Sequence, residues 1–227
     1  MNDVPLIEKT AELIRDDILV GEIKPGERLN IDGLARSFNT SKTPVREAMN
    51  MLCAERLVVY KPKLGYFVQT LTVQEFIDIY EIQEVIELNL CLKIAQAKIP
   101  LDFKQLESIN HEIYRAVARN DRIGCFNLNK LFHMAMYREY RNRKMIDELK
   151  RIWNELLIHN YYMFSSKNFL GEIHMDHEKI MQAMKLSDLD MIKDAVGAHF
   201  AHGVNGVTEG FNEDGLVGLL PRENAAP

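Results

Sequence analysis

From the first residues onward, apolar side chains fall at helical spacing. Leu6, Ile7, Leu13, Ile14 and Ile18 predict a helix over residues 6–20, which Gly21 and the turn Lys24-Pro25-Gly26 bring to an end. Asn30 is placed to cap a short second helix that carries Ile31, Leu34, Ala35 and Phe38 inward. After the polar turn Asn39-Thr40-Ser41, a third helix runs to about Glu55. It has Pro44 in its first turn and Val45, Ala48, Met49 and Leu52 on one face. The period then changes. Leu57-Val58-Val59-Tyr60 and Tyr66-Phe67-Val68-Gln69 are short β-prone runs, joined as a hairpin by Lys61-Pro62-Lys63-Leu64-Gly65. Helix, helix, turn, helix and hairpin in that order describe a winged helix-turn-helix domain over residues 1–71.

Beyond this point the pattern is helical throughout. Thr72-Val73-Gln74-Glu75 is a capping box opening a long helix to about Lys98, broken by Pro100. Further helices are predicted from Asp102 to about Asn120, from Asp121 to about Tyr140, and from Asn142 to about Ser165. The last two span roughly 171–185 and Ser187 or Asp188 to about Val204. Six amphipathic helices with short connections form an antiparallel bundle over residues 72–207, so the fold class is mainly α. Residues 208–227 carry glycines, prolines and alternating charge and read as a flexible tail.

Composition adds little until it is divided. A hydrophobic fraction of 47% and a charged fraction of 27% are ordinary for a globular chain. No apolar run approaches the ~20 residues of a spanning helix. The stretch Met1–Lys9 lacks the basic and apolar regions of a signal peptide. Cys53, Cys91 and Cys125 lie far apart and form no CxxC pair, which reads as reduced thiols in a cytoplasmic protein. The net charge of −5 argues against a nucleic-acid partner, yet all of it lies beyond residue 71, because residues 1–71 hold ten basic and ten acidic side chains. Within residues 36–63, Arg36, Lys42, Arg46, Arg56, Lys61 and Lys63 face only Glu47 and Glu55, a local +4. Local charge sets attraction to phosphate, although by itself such a run equally describes a solvated mixed-charge face.

The motifs decide between those readings. Gly21-x3-Pro25-Gly26-Glu27-x-Leu29, Leu34-Ala35, Ser41-Lys42-Thr43-Pro44-Val45-Arg46-Glu47-Ala48, Leu52-x3-Arg56-Leu57-Val58 and Gly65 follow one another over residues 10–70. This ordered set closely resembles the GntR family of bacterial transcriptional regulators. A helix whose first turn presents Lys42, Thr43 and Arg46 can enter the major groove of double-stranded DNA and reach base edges. Ser41 and the free N–H groups of that turn suit a phosphate. The resemblance implies that Arg36 and the wing around Lys61, Lys63 and Gly65 also touch DNA. Lys42 stands where the family usually has Arg, and a lysine lacks the planar fork that reads guanine through two bonds. Such a domain sees half a site, so a homodimer on a near-palindromic operator is expected.

The bundle is similar to the FCD-type effector domains of the FadR subfamily, through Phe132-His133 with Asn142, His177 with Ile180, and His199. That resemblance implies a divalent metal held by Asn129, His133, His177 and His199. Asn129 and His133 stand at i and i+4 on one helix face, and three imidazoles with one oxygen suit Zn²⁺, with Ni²⁺ or Mn²⁺ as alternatives. His174 and His202 are the competing histidines. Asn129 replaces the family's usual Asp; a neutral ligand leaves the ion its full charge, which favours an anionic effector such as a carboxylate. Gln83, near Glu87, stands where the family commonly shows an Arg, so either the metal anchors the effector or the effector is not a simple acid. Gln83, Glu87 and Tyr137 are the candidate effector-pocket residues. Tyr80, Tyr161, Tyr162 and the methionines 134, 136, 163, 181 and 184 line a cavity or, more commonly at helical spacing, a core. A His₃ site also describes metalloenzymes, but no HExxH and no general base accompany it. The expected function is a regulator, most simply a repressor, whose operator affinity responds to a metabolite, and not an enzyme.

Overall fold

The caps legible in the sequence start the helices of the computed structural model, which describes residues 5–19, 21–156 and 167–213. The chain divides into two compact units, Met1–Thr70 with Lys150–Tyr161, and Leu71–Leu149 with Tyr162–Pro227.

In the first unit, α1 (Leu6–Leu19) packs on α3 (Lys42–Ala54), with α2 (Ile31–Ser37) between them in sequence. The buried stripe of α1 is Thr10, Ala11, Ile14 and Ile18, whereas Leu6, Ile7 and Leu13 are exposed. The expected apolar face is therefore rotated. Thr10 is buried because its hydroxyl donates to the Leu6 carbonyl at 2.7 Å. Asn30 caps α2 by accepting from the backbone of Asp32 and Gly33. That helix is too short to bury a full stripe: only Ala35 is buried, and Leu34 and Phe38 are half-buried. Val45, Ala48, Met49 and Leu52 of α3 lie in the core as expected.

The wing has one strand more than the hydrophobic pattern predicts. Antiparallel β2 (Val58–Lys61) and β3 (Gly65–Val68) are joined by β1 (Arg28–Leu29) in the order β1-β3-β2, with Arg28 opposite Phe67 and Lys61 opposite Gly65. Two residues are too few to show alternation. The turn itself is Pro62-Lys63-Leu64, with Lys63 in the left-handed region and Gly65 at φ 103°, a conformation that favours glycine.

The second unit contains α4 (Val73–Gln96), α5 (Phe103–Ala118), α6 (Arg122–Tyr137), the start of α7 (Arg143–Glu155), α8 (Lys167–Leu186) and α9 (Leu189–Glu213). Thr72 and Glu75 complete the capping box reciprocally. Asp102, Asp121 and Asp188 cap α5, α6 and α9 through their carboxylates. Helix α8 packs on α9 and α5, α9 on α4, and α5 on α6. The last helix continues past its expected end at Val204 to Glu213, so residues 208–213 of the anticipated tail are helical. The expected extension of α7 to Ser165, with Tyr161, Tyr162 and Met163, lies outside the described residues. None of the described helices is long and apolar enough to cross a membrane.

One close approach fixes α9 against α4. The Tyr80 ring is wedged between Phe76 and Phe200, with centroids 4.9 and 5.0 Å away. A β-carbon on Gly203 would meet its Cε1 and Cζ at 2.6 Å. Gly203→Ala is therefore expected to overpack this contact and destabilise the fold by about 1–3 kcal/mol. A urea midpoint equal to that of the parent protein would refute this packing account.

Candidate metal centre and nucleic-acid interface

Ser41 begins α3 without spending its side chain on the cap, so its hydroxyl and the N–H groups of the first turn remain available to an anion. Arg36, Ser41, Lys42, Thr43, Arg46, Lys61 and Lys63 are all exposed, and Gly65 is half-buried. Arg36, Ser41 and Lys42 line one hollow of about 570 Å³, together with Asn39 and Asp32. Arg46 and Gly65 line a second, of about 760 Å³, together with Arg28 and Tyr60. The two hollows share Asp32, which pairs with Lys42 at 2.9 Å. The wing is tied to α3 by the Tyr66 hydroxyl, 3.1 Å from the Asn50 side chain. Lys61 lies over the Phe67 ring at 5.0 Å. Arg28 is the member of this surface that the sequence pattern did not single out, since its strand was not foreseen.

In the second unit, α6, α8 and α9 deliver His133, His177 and His199 to one place. Their ring centroids lie 5.1–5.2 Å apart in a nearly equilateral triangle. One ligand nitrogen from each falls within 4.8 Å of the other two, and all three are buried. Asn129, one turn before His133, is buried as well, and its Oδ1 has no hydrogen-bond partner. His177 Nε2 and His199 Nδ1 are likewise without one. Burial pushes the His177 ring well below its ordinary value, and its histidine neighbours push in the same direction. Burial also takes His199 down to about 3. Both rings are thus neutral at physiological pH, each with one protonated nitrogen and one lone-pair nitrogen. Phe132 stacks on His177 at 3.9 Å and, with Phe200 against His199, walls the site with apolar surface.

Behind these rings stands a second set of polar groups. Glu87 Oε2 lies 2.6 Å from His133 Nδ1 and accepts from the Tyr137 hydroxyl at 2.8 Å, while its Oε1 accepts from Gln83 at 2.7 Å. Burial alone would raise this carboxyl. Its neighbour His133 and the hydrogen bonds from His133, Gln83 and Tyr137 outweigh it and hold Glu87 below the usual carboxylate range. All three candidate pocket residues therefore belong to one buried chain that ends on His133, and Gln83 keeps an unpartnered Oε1. Asn110 of α5 lies against His177 Nδ1 at 3.1 Å. It was not foreseen; the available signal was an Asn on the apolar face formed by Leu106, Ile109, Ile113 and Ala116. Cys91 and Cys125 are pushed up by burial to about 12 and 11, which keeps them protonated and poor ligands.

The competing histidines sit elsewhere. His202 Nδ1 is engaged by Asp176 at 2.6 Å, and the His174 ring packs on Tyr114 beside a surface groove. Tyr80, Met136, Met181 and Met184 are core residues.

Comparison with known proteins places this geometry. The sequence profile of the bacterial regulatory proteins of the gntR family matches residues 6–68, and that of the FCD domain matches residues 78–202. The chain belongs to the GntR family. It is 30% identical to the uncharacterized HTH-type transcriptional regulator YdhC of Bacillus subtilis, over 82% of this chain and 83% of that one. It is 23% identical to the HTH-type transcriptional regulator McbR of Escherichia coli, over 83% and 86%. It is also 24% identical to the gluconate operon transcriptional repressor of Bacillus licheniformis, over 82% and 79%. Among solved structures the fold is shared with E. coli McbR/YncC (TM-score 0.77, 20% identity, covering 92% of this chain and 100% of that one). Lar of Listeria monocytogenes shares it too (TM-score 0.65, 19% identity, 92% and 99%). This GntR protein thus pairs a DNA-binding winged helix-turn-helix with an FCD effector domain, and its relatives are transcriptional regulators.

Proposed function

We propose that this GntR protein is a metal-dependent, ligand-responsive repressor of the FadR subfamily, binding a near-palindromic operator as a homodimer. The observation that carries the reading is the buried histidine triad, together with the buried polar atoms of Asn129, His177 and His199 that have no hydrogen-bond partner. Asn129 Oδ1 is an electron-pair donor with no proton donor to receive, and His177 Nε2 and His199 Nδ1 are buried ring nitrogens without a hydrogen-bond partner. Leaving a buried polar atom unpaired costs about 1–3 kcal/mol, so three together call for a Lewis acid. Three imidazole nitrogens and an amide oxygen fit Zn²⁺, or Ni²⁺ and Mn²⁺. When bound, such an ion supplies a positive charge and open coordination positions for an anion, a carboxylate-bearing metabolite being the simplest.

On the DNA side, Lys42, Thr43 and Arg46 are assigned to base edges. Ser41, Arg36, Lys61 and Lys63 are assigned to the backbone, and Gly65 to a close approach of the wing. A metabolite that binds the two arrangements of the effector domain unequally shifts operator affinity by that difference. The test is fluorescence anisotropy with DNA from beside the protein's own gene, run over a salt series with metal-loaded protein. Specific binding at least about 1,000-fold tighter than to a scrambled duplex is expected, weakening as salt rises. Equal affinity for both duplexes would overturn the reading.

A further inference from the structure

Asn110 is the one polar residue among the buried positions of α5, and both ends of its amide are engaged. Its Nδ2 donates to the backbone carbonyl of His174 at 2.9 Å. That carbonyl accepts only, so it fixes which way the amide faces: the Asn110 nitrogen points at α8 and its Oδ1 points at the His177 ring. The 3.1 Å contact between Oδ1 and His177 Nδ1 then has one chemical solution. An amide oxygen cannot donate, so Nδ1 must carry the proton. In the neutral ring this leaves Nε2 as the lone pair, and Nε2 is the buried atom of His177 for which the fold supplies no partner.

We infer that Asn110 is a positioning residue for the metal centre: it sets the tautomer and orientation of His177 so that Nε2 is presented to the ion. The inference rests on the proposal that the triad holds a metal. Glu87 stands in the same relation to His133, through Nδ1 at 2.6 Å, so two of the three imidazoles are oriented from behind by different chemistry. A carboxylate holds His133 and a neutral amide holds His177. The amide is the weaker acceptor, and it also ties α5 to α8 by bonding two residues three positions apart on α8. Without it, no acceptor would hold the proton on Nδ1, and His177 would divide between two tautomers while Phe132 still packs on its ring. Loss of such outer-sphere partners lowers metal affinity about 10–100-fold.

Two measurements test this on the full-length protein. The first is Zn²⁺ affinity, by competition with a chromogenic chelator, for the wild type, Asn110→Leu and Asn110→Asp. Asn110→Leu removes the acceptor and is expected to bind Zn²⁺ about 10–100-fold more weakly. Asn110→Asp keeps an acceptor facing Nδ1 and is expected to stay within about threefold of the wild type. A merely structural role predicts that both lose affinity together, because both break the bond to the His174 carbonyl; that result, or full affinity in Asn110→Leu, overturns the inference. The second measurement needs no variant: long-range ¹H–¹⁵N correlation spectra of metal-free wild-type protein report the His177 tautomer. Protonated Nδ1 is expected, and protonated Nε2 overturns the inference. A wild type that binds no Zn²⁺ sinks the metal proposal, whereas the tautomer measurement still decides the role of Asn110.

Discussion

Replacing Lys42 and Arg46 together by alanine is expected to lower affinity for the preferred operator by about 100-fold or more while leaving the fold intact. Each well-formed side-chain contact to a base edge is worth about 1–3 kcal/mol, and each 1.4 kcal/mol is a factor of ten. Neither side chain contributes to the core. Both are exposed, and the Lys42–Asp32 pair, with 61% and 55% of its side chains in water, adds little to stability. Surface changes of this kind ordinarily alter stability by less than ~0.5 kcal/mol. Of the two, Arg46 carries the larger share, because its planar fork can engage a base through two bonds and the point charge of Lys42 cannot. Anisotropy titrations with a preferred and a scrambled duplex check this. Discrimination between duplexes should collapse, with residual non-specific binding retained through Arg36, Lys61 and Lys63. Undiminished discrimination in the double variant would remove α3 from the reading of sequence.

Stripping the metal is expected to lower the melting temperature by about 5–10 °C. An ion held at 100 times its dissociation constant stabilises the folded state by about 2.7 kcal/mol. A change of 1 kcal/mol shifts the midpoint by about 2–4 °C in a chain of this size. The cause lies in the buried polar atoms: without a Lewis acid, Asn129 Oδ1, His177 Nε2 and His199 Nδ1 stay desolvated and unpaired. The variant His177→Ala should melt at one temperature with or without chelator, which separates the triad from other metal sites. Differential scanning calorimetry with and without chelator makes the comparison. A wild-type midpoint indifferent to chelator contradicts the assignment.

Much of this was readable from the chain because the signals are local. Asn30, Thr72-Glu75, Asp102 and Asp121 announce helix starts through their own side chains, and each does so in the structure; of Ser187 and Asp188, it is Asp188 that caps the last helix. The i, i+4 spacing of Asn129 and His133 was visible too. Spacing alone does not rank His177 over His174, or His199 over His202, three residues apart on the same helices. That ranking depends on which face of α8 and α9 turns inward, a property of the packed bundle. The missing pieces share that character. β1 is only two residues long and exists because β3 offers it a ladder. The buried face of α1 keeps Ile14 and Ile18 but differs from the apolar spacing, because Thr10 satisfies its hydroxyl within the helix and can be buried, while Leu6, Ile7 and Leu13 stay in water. Asn110 has no motif: its role appears only when α5 meets α8.

Native mass spectrometry of the protein, purified without a polyhistidine tag, tests the central claim most directly. A dimer is predicted, carrying one divalent ion per chain and losing that ion on chelation or in His177→Ala. Chains that bear less than about 0.2 equivalents of metal, and take up none when Zn²⁺, Ni²⁺ or Mn²⁺ is supplied, would contradict it.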